Sequence, residues 1–402
     1  MRNLSDYRKI VGQKIVDEIH SKAESISDKH IVFINSTYQG GGVAEMLNSM
    51  IPTFNKIGVK LGWRVLHGTP DFFNVTKMFH NGLQGEDVKL TENKKNIYYE
   101  TNEKFATISH MRHDLVVIHD PQPMSLIDFY AKEQPWIFRF HIDLSNPNQE
   151  VWNYLKQFIN KYDHMVVSKE EYRRDDIKPQ QSIIQPAIDP LSYKNKELSE
   201  TIIQKNLSES GIDSNKPIIT QVSRFDKWKN PFDVIKIFEK VREKSNCQLV
   251  MAGSFATDDP EGQMMLEQVK KMIEKCKYKN DINIVLEGTD IFINALQRSA
   301  SVVIQKSSRE GFGLVVAEAL YKGTPVVSTN VGGIPFQVIN NKTGYLHSPH
   351  EIDGFVKNIS NLLENDKLRE TLGQQGKEHV TKNFLITRLM SNWLDLFQRY
   401  LS

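Results

Sequence analysis

Short apolar runs recur along the chain, each closed by Gly, Asp, Asn or Pro and separated from the next by a longer stretch of helical period. That alternation is the signature of parallel strands joined by helical crossovers, because parallel strands are buried on both faces and read as near-continuous hydrophobic runs. In the first half the predicted strands are His30–Asn35, Trp63–Leu66, Leu115–His119, Trp136–His141, Met165–Ser168 and Ile183–Gln185, with helices such as Val43–Ile57 and Gln149–Asn160 between them. A second series follows: Ile218–Val222, Gln248–Ala252, Ile284–Leu286, Val302–Gln305 and Pro325–Ser328. The stretch after Ile188-Asp189-Pro190 is polar and strand-free until Pro217 and reads as the crossing between two domains. The fold class is therefore α/β, with two Rossmann-like domains of similar kind. Predicted boundaries are 1–190, 191–382, and a C-terminal helix over 383–402 whose Leu385, Leu389, Trp393, Leu396 and Tyr400 lie at helical spacing and should pack back on the body.

The length of 402 residues is enough for such domains to bury real cores. Lys and Arg total 51 against 49 Asp and Glu, leaving a formal charge of +2, so no global positive field recruits nucleic acid. Any anion site must be local. The two cysteines, Cys247 and Cys276, form no CxxC or Cys/His ligand spacing, which points away from a disulfide framework or structural zinc and toward a reducing compartment. The first twenty residues are charged throughout, and no stretch reaches the ~18 apolar residues of a membrane span. The expectation is a cytoplasmic protein with no integral membrane contact.

Residues 301–329 form one βαβ unit: a buried strand, a turn over Ser307–Gly313, and a helix Leu314–Tyr321 closed by Gly323. Gly311 and Gly313 let the backbone turn sharply toward a ligand, and the helix N-terminus offers free N–H groups to a phosphate. Glu310 on the turn and Glu318 on the helix are eight positions apart and can lean toward one cleft; carboxylates accept hydrogen bonds from hydroxyls. Together these describe a ligand with both sugar and phosphate. The loop QVSRFDKWKNP, residues 221–231, adds Arg224 and Lys229, two cations that could hold a pyrophosphate. Its Asn230 places a capping side chain before Pro231 at a helix start. In the first half, Gly40, Gly41 and Gly42 join the first strand to the first helix, but GxGxxG is absent and a dinucleotide reading is weak. Polar residues at strand ends, His119-Asp120 and Arg139, His141 and Asp143, are further candidates, with a structural histidine as the plain alternative for His119.

Glu310-x7-Glu318, the Arg224/Lys229 loop and the glycine-rich turn resemble those of retaining glycosyltransferases of the GT-B architecture, family 4. More narrowly, GGGVAEML, HDPQP, FRFHIDLS, the string at 184–195, DDPEG at 258–262 and residues 294–314 resemble the trehalose synthases that use a nucleotide-glucose donor, and the related trehalose phosphorylases. Tyr38-Gln39 ahead of the glycines departs from the pattern. The resemblance implies two facing domains with an interdomain cleft, a nucleoside-diphosphate sugar on the second and an acceptor sugar on the first. Glu318 would hold the ribose hydroxyls and Glu310 those of the donor hexose; Arg224 and Lys229 would stabilise the departing diphosphate, and His141 would orient the donor sugar. Gly41, Gly42, Phe312, Gly313 and Leu314 are the other donor-binding candidates, and Asp120, Arg139 and Asp143 the acceptor-binding ones.

The implied reaction moves glucose from a nucleoside-diphosphate-glucose to glucose, forming trehalose with retention. No tightly bound cofactor is expected. The chain lacks a DxD string, so the metal expectation is Mg²⁺ accompanying the nucleotide rather than a protein-held ion. A trehalose phosphorylase, another family 4 acceptor, a nucleotide-sugar epimerase and a non-catalytic sugar-nucleotide binder remain open readings, as does a homodimer.

Overall fold

The computed structural model describes residues 2–39, 41–253, 260–286 and 288–401. They form two compact α/β units, Met1–Ala187 with Ile386–Ser402, and Ile188–Leu385. The first sheet is β1 (His30–Asn35), β2 (Lys60–Val65), β3 (Leu115–His119), β4 (Trp136–Arg139), β5 (His164–Val167) and β6 (Gln180–Ile183), in the spatial order β2-β1-β3-β4-β5-β6. The second is β7 (Ile218–Val222), β8 (Gln248–Gly253), β9 (Ile282–Leu286), β10 (Val302–Gln305), β11 (Val326–Thr329) and β12 (Gly344–His347), ordered β12-β11-β10-β7-β8-β9. Every neighbouring pair is parallel.

Counted from its own first strand, the second sheet runs 6-5-4-1-2-3, the doubly wound dinucleotide-fold order, whose strand sequence reverses between β7 and β10. The first sheet reverses between β1 and β3, as flavodoxin-like sheets do. In open α/β sheets ligands sit beyond the carboxyl ends of the strands at that reversal, since the two crossover helices diverge there and leave the loop ends uncovered. In the second unit the loops that leave β7 and β10 carry Arg224 and Lys229, and Glu310. Topology alone brings these three to one switch point.

Central strands were readable because they are buried along nearly all their length: β1, exposed only at His30, and β3, β7 and β10 match their predicted spans. Edge strands were read only in part: Ile284–Leu286 lies inside β9 but misses its first two residues. β6 comes earlier than expected and is the polar run QQSI, partly exposed along its length. β2 begins at Lys60, three residues before its apolar part, and β12 was not anticipated. An edge strand has one neighbour and a solvated side, so its sequence need not be hydrophobic. The polar stretch read as an inter-domain crossing belongs to the second unit and contains a helix, Glu200–Glu209, with Ile203 and Leu207 buried. Asn230 also differs from its predicted role. It is left-handed at φ 50°, and its amide donates to Asp233 Oδ2 at 2.8 Å instead of capping the backbone.

The closing helix, Ile386–Leu401, completes the first unit's core. Trp393 and Phe397 pack on Phe33 of β1 with ring centroids 5.4 and 6.1 Å away. Lys22 on the helix Gln13–Glu24 bonds Ser391 Oγ and pairs with Asp395, both at 2.8 Å. Among the described residues no helix is long and apolar enough to cross a membrane.

Candidate active site

In the second unit, β10 ends in the turn that carries Glu310, and β7 ends in the loop that carries Lys229. Lys229 Nζ lies 2.5 Å from Glu310 Oε2, with both side chains largely buried. The same oxygen accepts from Gln305 Nε2 at 3.1 Å and from Ser307 Oγ at 3.3 Å. The loop and the turn are tied by backbone: Ser308 N donates to Trp228 O at 2.8 Å. The Trp228 ring is flanked by Lys227 Nζ at 4.9 Å and the Arg309 guanidinium at 5.0 Å, cation–π contacts that draw both segments onto one aromatic face. Asp226 caps the short turn by accepting from Lys229 N at 3.1 Å, which fixes the start of the lysine side chain.

The turn is held from below by the segment after β11. Gly333 N donates to Gly311 O at 3.0 Å, and Gly332, at φ 55°, approaches so closely that a Cβ would stand 1.7 Å from Glu310 O. Gly332→Ala combines backbone strain with that overlap and is expected to destabilise the second unit by at least about 2 kcal/mol and to displace Glu310. A thermal melt within a degree or two of the parent would show that the turn is not pinned there.

The predicted site residues meet different fates. Gly313 is left-handed at φ 78° and opens the helix Leu314–Tyr321. Phe312 buries its ring against Phe384, 5.6 Å between centroids, so any donor contact there comes from its backbone. Arg224 is exposed, its guanidinium 3.7 Å from Asp226, and it does not share the Lys229–Glu310 contact. Glu318 is 3% exposed on the following helix; its Oε2 has no partner among the described residues, and its Oε1 stands 4.0 Å from Lys194 Nζ. One turn further on, Lys322 Nζ is buried against Asn195 Oδ1, Gln297 Oε1 and the Glu318 carbonyl at 2.8, 2.8 and 3.1 Å. Burial pulls its ammonium down to about 7, although Glu318 opposes the shift.

Sequence reasoning missed Gln305, Ser307 and Lys322. Their signals were a polar residue ending an apolar strand and a cation four positions after a carboxylate.

In the first unit, His119 ends β3 and stacks on His141, with Nδ1 of the former 3.0 Å from Nε2 of the latter. One proton serves that contact. Burial drives His119 down to about 3 and His141 well below its ordinary value, with Arg139 acting in the same direction, so the pair is neutral. Asp120 is left-handed at φ 63°, which turns its carboxylate back to accept from His141 N at 2.8 Å. Burial pushes Asp120 up to about 7.

Arg139 is buried and donates to Val167 O and Ser168 Oγ at 2.9 and 3.1 Å, spending its fork on the end of β5. Asp143 is occupied by its own turn, accepting from Ser145 N and Oγ at 2.9 and 2.6 Å. Gly41, at φ 82°, precedes the helix Gly42–Lys56; Gly40 lies outside the described residues, as do Asp258 and Asp259 of the DDPEG string. A small cavity lined by Met46, Met50, His119, Arg139, His141 and Trp393 has room for about one water, too little for a hexose. Among the described residues no group of three or more His, Cys, Asp or Glu could hold a metal ion.

Comparison with known proteins places these geometries in a family. Residues 33–174 match the family described as trehalose synthase, N-terminal domain, and residues 202–379 match glycosyl transferases group 1. The chain is 45% identical to the trehalose synthase of Thermococcus litoralis over 99% of this chain and 97% of that one, and 40% identical to that of Rubrobacter xylanophilus over 99% and 97%. A trehalose phosphorylase of Pleurotus pulmonarius is 28% identical over 99% of this chain and 61% of that protein. Among solved structures, sucrose-phosphate synthase from Thermosynechococcus elongatus superposes with a TM-score of 0.73 at 17% identity, covering 92% of this chain and 99% of that one. Fold and residues together define a glycosyltransferase of the GT-B architecture. Within that class, the chain belongs to the trehalose synthase family.

Proposed function

We propose that the protein transfers glucose from a nucleoside-diphosphate-glucose to glucose with retention, forming α,α-trehalose. The observation that carries this reading is the Lys229–Glu310 pair at the second unit's switch point, a cation for phosphate beside a carboxylate for sugar hydroxyls. The choice of trehalose is supported by the relatives' names. The second unit holds the donor: Glu318 accepts from the ribose hydroxyls, Glu310 from those of the hexose, and Arg224, Lys229 and the N–H groups at Phe312, Gly313 and Leu314 stabilise the diphosphate. In the first unit His141 orients the donor hexose, with Gly41 and Gly42 as further donor contacts, and Asp120 meets the acceptor.

In the transfer, the bond from C1 to the β-phosphate oxygen breaks and its electron pair leaves with the diphosphate. The acceptor oxygen bonds C1 from the same face and its proton passes to the departing phosphate oxygen. Charge grows on that phosphate, and donors already in place stabilise it more than water could. Mg²⁺ accompanying the nucleotide would add to the same neutralisation.

The test incubates the protein with UDP-, ADP- or GDP-glucose and free glucose and reads the product by proton NMR. An α,α-linked disaccharide is expected. A β-linked product overturns the mechanism, and an α-linked product on another acceptor removes only the trehalose assignment. The 28% identity to trehalose phosphorylase supports a second reading, which predicts glucose 1-phosphate from trehalose and inorganic phosphate instead.

A further inference from the structure

We infer that Gln305 is a positioning residue for Glu310, saturating one carboxylate oxygen with Ser307 and Lys229 so that the other alone is presented to the donor hexose. The inference rests on the donor-binding role proposed for Glu310. Three donors converge on Oε2: Lys229 Nζ, Gln305 Nε2 and Ser307 Oγ, at 2.5, 3.1 and 3.3 Å. Among the described residues no side-chain or backbone donor reaches Oε1. A carboxylate has about four lone-pair positions, two on each oxygen, so three donors fill those of Oε2 and leave the second oxygen as the accepting one.

Gln305 is built for this and for nothing else in its surroundings. It is 1% exposed at the last position of β10, and both N–H groups of its amide are used, one on Glu310 and one on Ser307 Oγ at 3.0 Å. Its own Oε1 is buried and has no partner among the described residues. The reverse orientation of the amide would set that oxygen against the Glu310 carboxylate, so the negative charge selects the observed one. A protein rarely leaves a buried amide oxygen unpaired, and the arrangement makes sense when the other end of that amide has work to do.

The backbone beneath is equally fixed. Ser328 Oγ donates to Gln305 O at 2.9 Å, and Thr329 Oγ1 donates to Ser307 O at 2.6 Å, so β11 anchors both positioning residues. Lys229 arrives from a different strand and bears charge, whereas Gln305 and Ser307 are neutral and lie in the same strand-and-turn segment as Glu310.

The test is a double-mutant cycle of Gln305→Met and Glu310→Gln, with UDP-, ADP- and GDP-glucose as donors and the free nucleoside diphosphates as competitive inhibitors. Gln305→Met, nearly isosteric and without donors, is expected to lower kcat about tenfold, to leave the inhibition constant of the nucleoside diphosphate within twofold, and to change the melting temperature by no more than a few degrees. In the Glu310→Gln background the same change is expected to alter kcat less than twofold, because a residue acting through another loses its effect when that partner is gone. An equal loss in both backgrounds, or an equal weakening of nucleoside diphosphate binding, makes Gln305 a packing residue and overturns the inference. If Glu310→Gln itself leaves turnover unchanged, the donor-binding reading fails instead. Ser307→Ala supplies the check should Gln305→Met fold poorly: it is expected to lower kcat two- to fivefold with the same non-additivity, and simple additivity with Glu310→Gln counts against the positioning set.

Discussion

Lys229→Ala is expected to reduce glucosyl transfer at least about a hundredfold while the far-ultraviolet circular dichroism stays unchanged. The loss has two sources. A cation no longer meets the charge that grows on the departing diphosphate, a kind of contribution worth on the order of 10²–10³ in rate when one preorganised donor is removed. Glu310 also loses the nearest of the donors on its Oε2, at 2.5 Å. Arg224→Ala is expected to act in the same direction, with little effect on stability because that side chain is exposed and its ion pair with Asp226 is long, at 3.7 Å. The measurement is kcat/KM beside a thermal melt, and near-normal turnover of a folded Lys229→Ala protein would falsify the assignment.

Glu310→Gln and Glu318→Gln are expected to separate kinetically. Glu318 is buried on its helix with an unpartnered Oε2, and contacts to ribose hydroxyls are alike in ground and transition states, so its loss raises the donor KM and spares kcat. Glu310 faces a hexose ring whose shape and charge change as its bond to phosphate breaks. Losing a charge-assisted hydrogen bond there, worth about 1.5–3 kcal/mol, lowers kcat on the order of ten- to a hundredfold. The new amide would also turn two hydrogens toward Lys229, Gln305 and Ser307, or leave them unmatched. A pure KM effect in both variants would make Glu310 a passive binder.

What could be read from the sequence follows the physics of burial. β1, β3, β7 and β10 lie inside their sheets, so apolar runs marked their limits, while β6 and β12 lie at edges and carried no such signal. The residues whose chemistry is local were legible as well: Gly313 where the backbone turns left-handed, Glu310 and Glu318 at fixed spacing on one βαβ unit. Contacts across the sheet were not. Lys229 and Glu310 are 81 positions apart, and only the 6-5-4-1-2-3 strand order brings β7 beside β10. Arg139 and Asp143 looked available because a sequence lists polar groups without their partners; the fold commits the first to β5 and the second to its own turn.

The closing helix, Ile386–Leu401, supplies Trp393 and Phe397 to a core that includes Phe33. During synthesis the first unit is therefore made first and finished last. Its nascent sheet leaves the ribosome without the helix that covers Phe33 and keeps that apolar surface uncovered until all of Ile188–Leu385, a continuous segment, has been translated. A stop codon at Ile386 itself would leave the second unit's sequence whole and yet take the closing helix from the first, so the unit that suffers is the one whose sheet was made earliest.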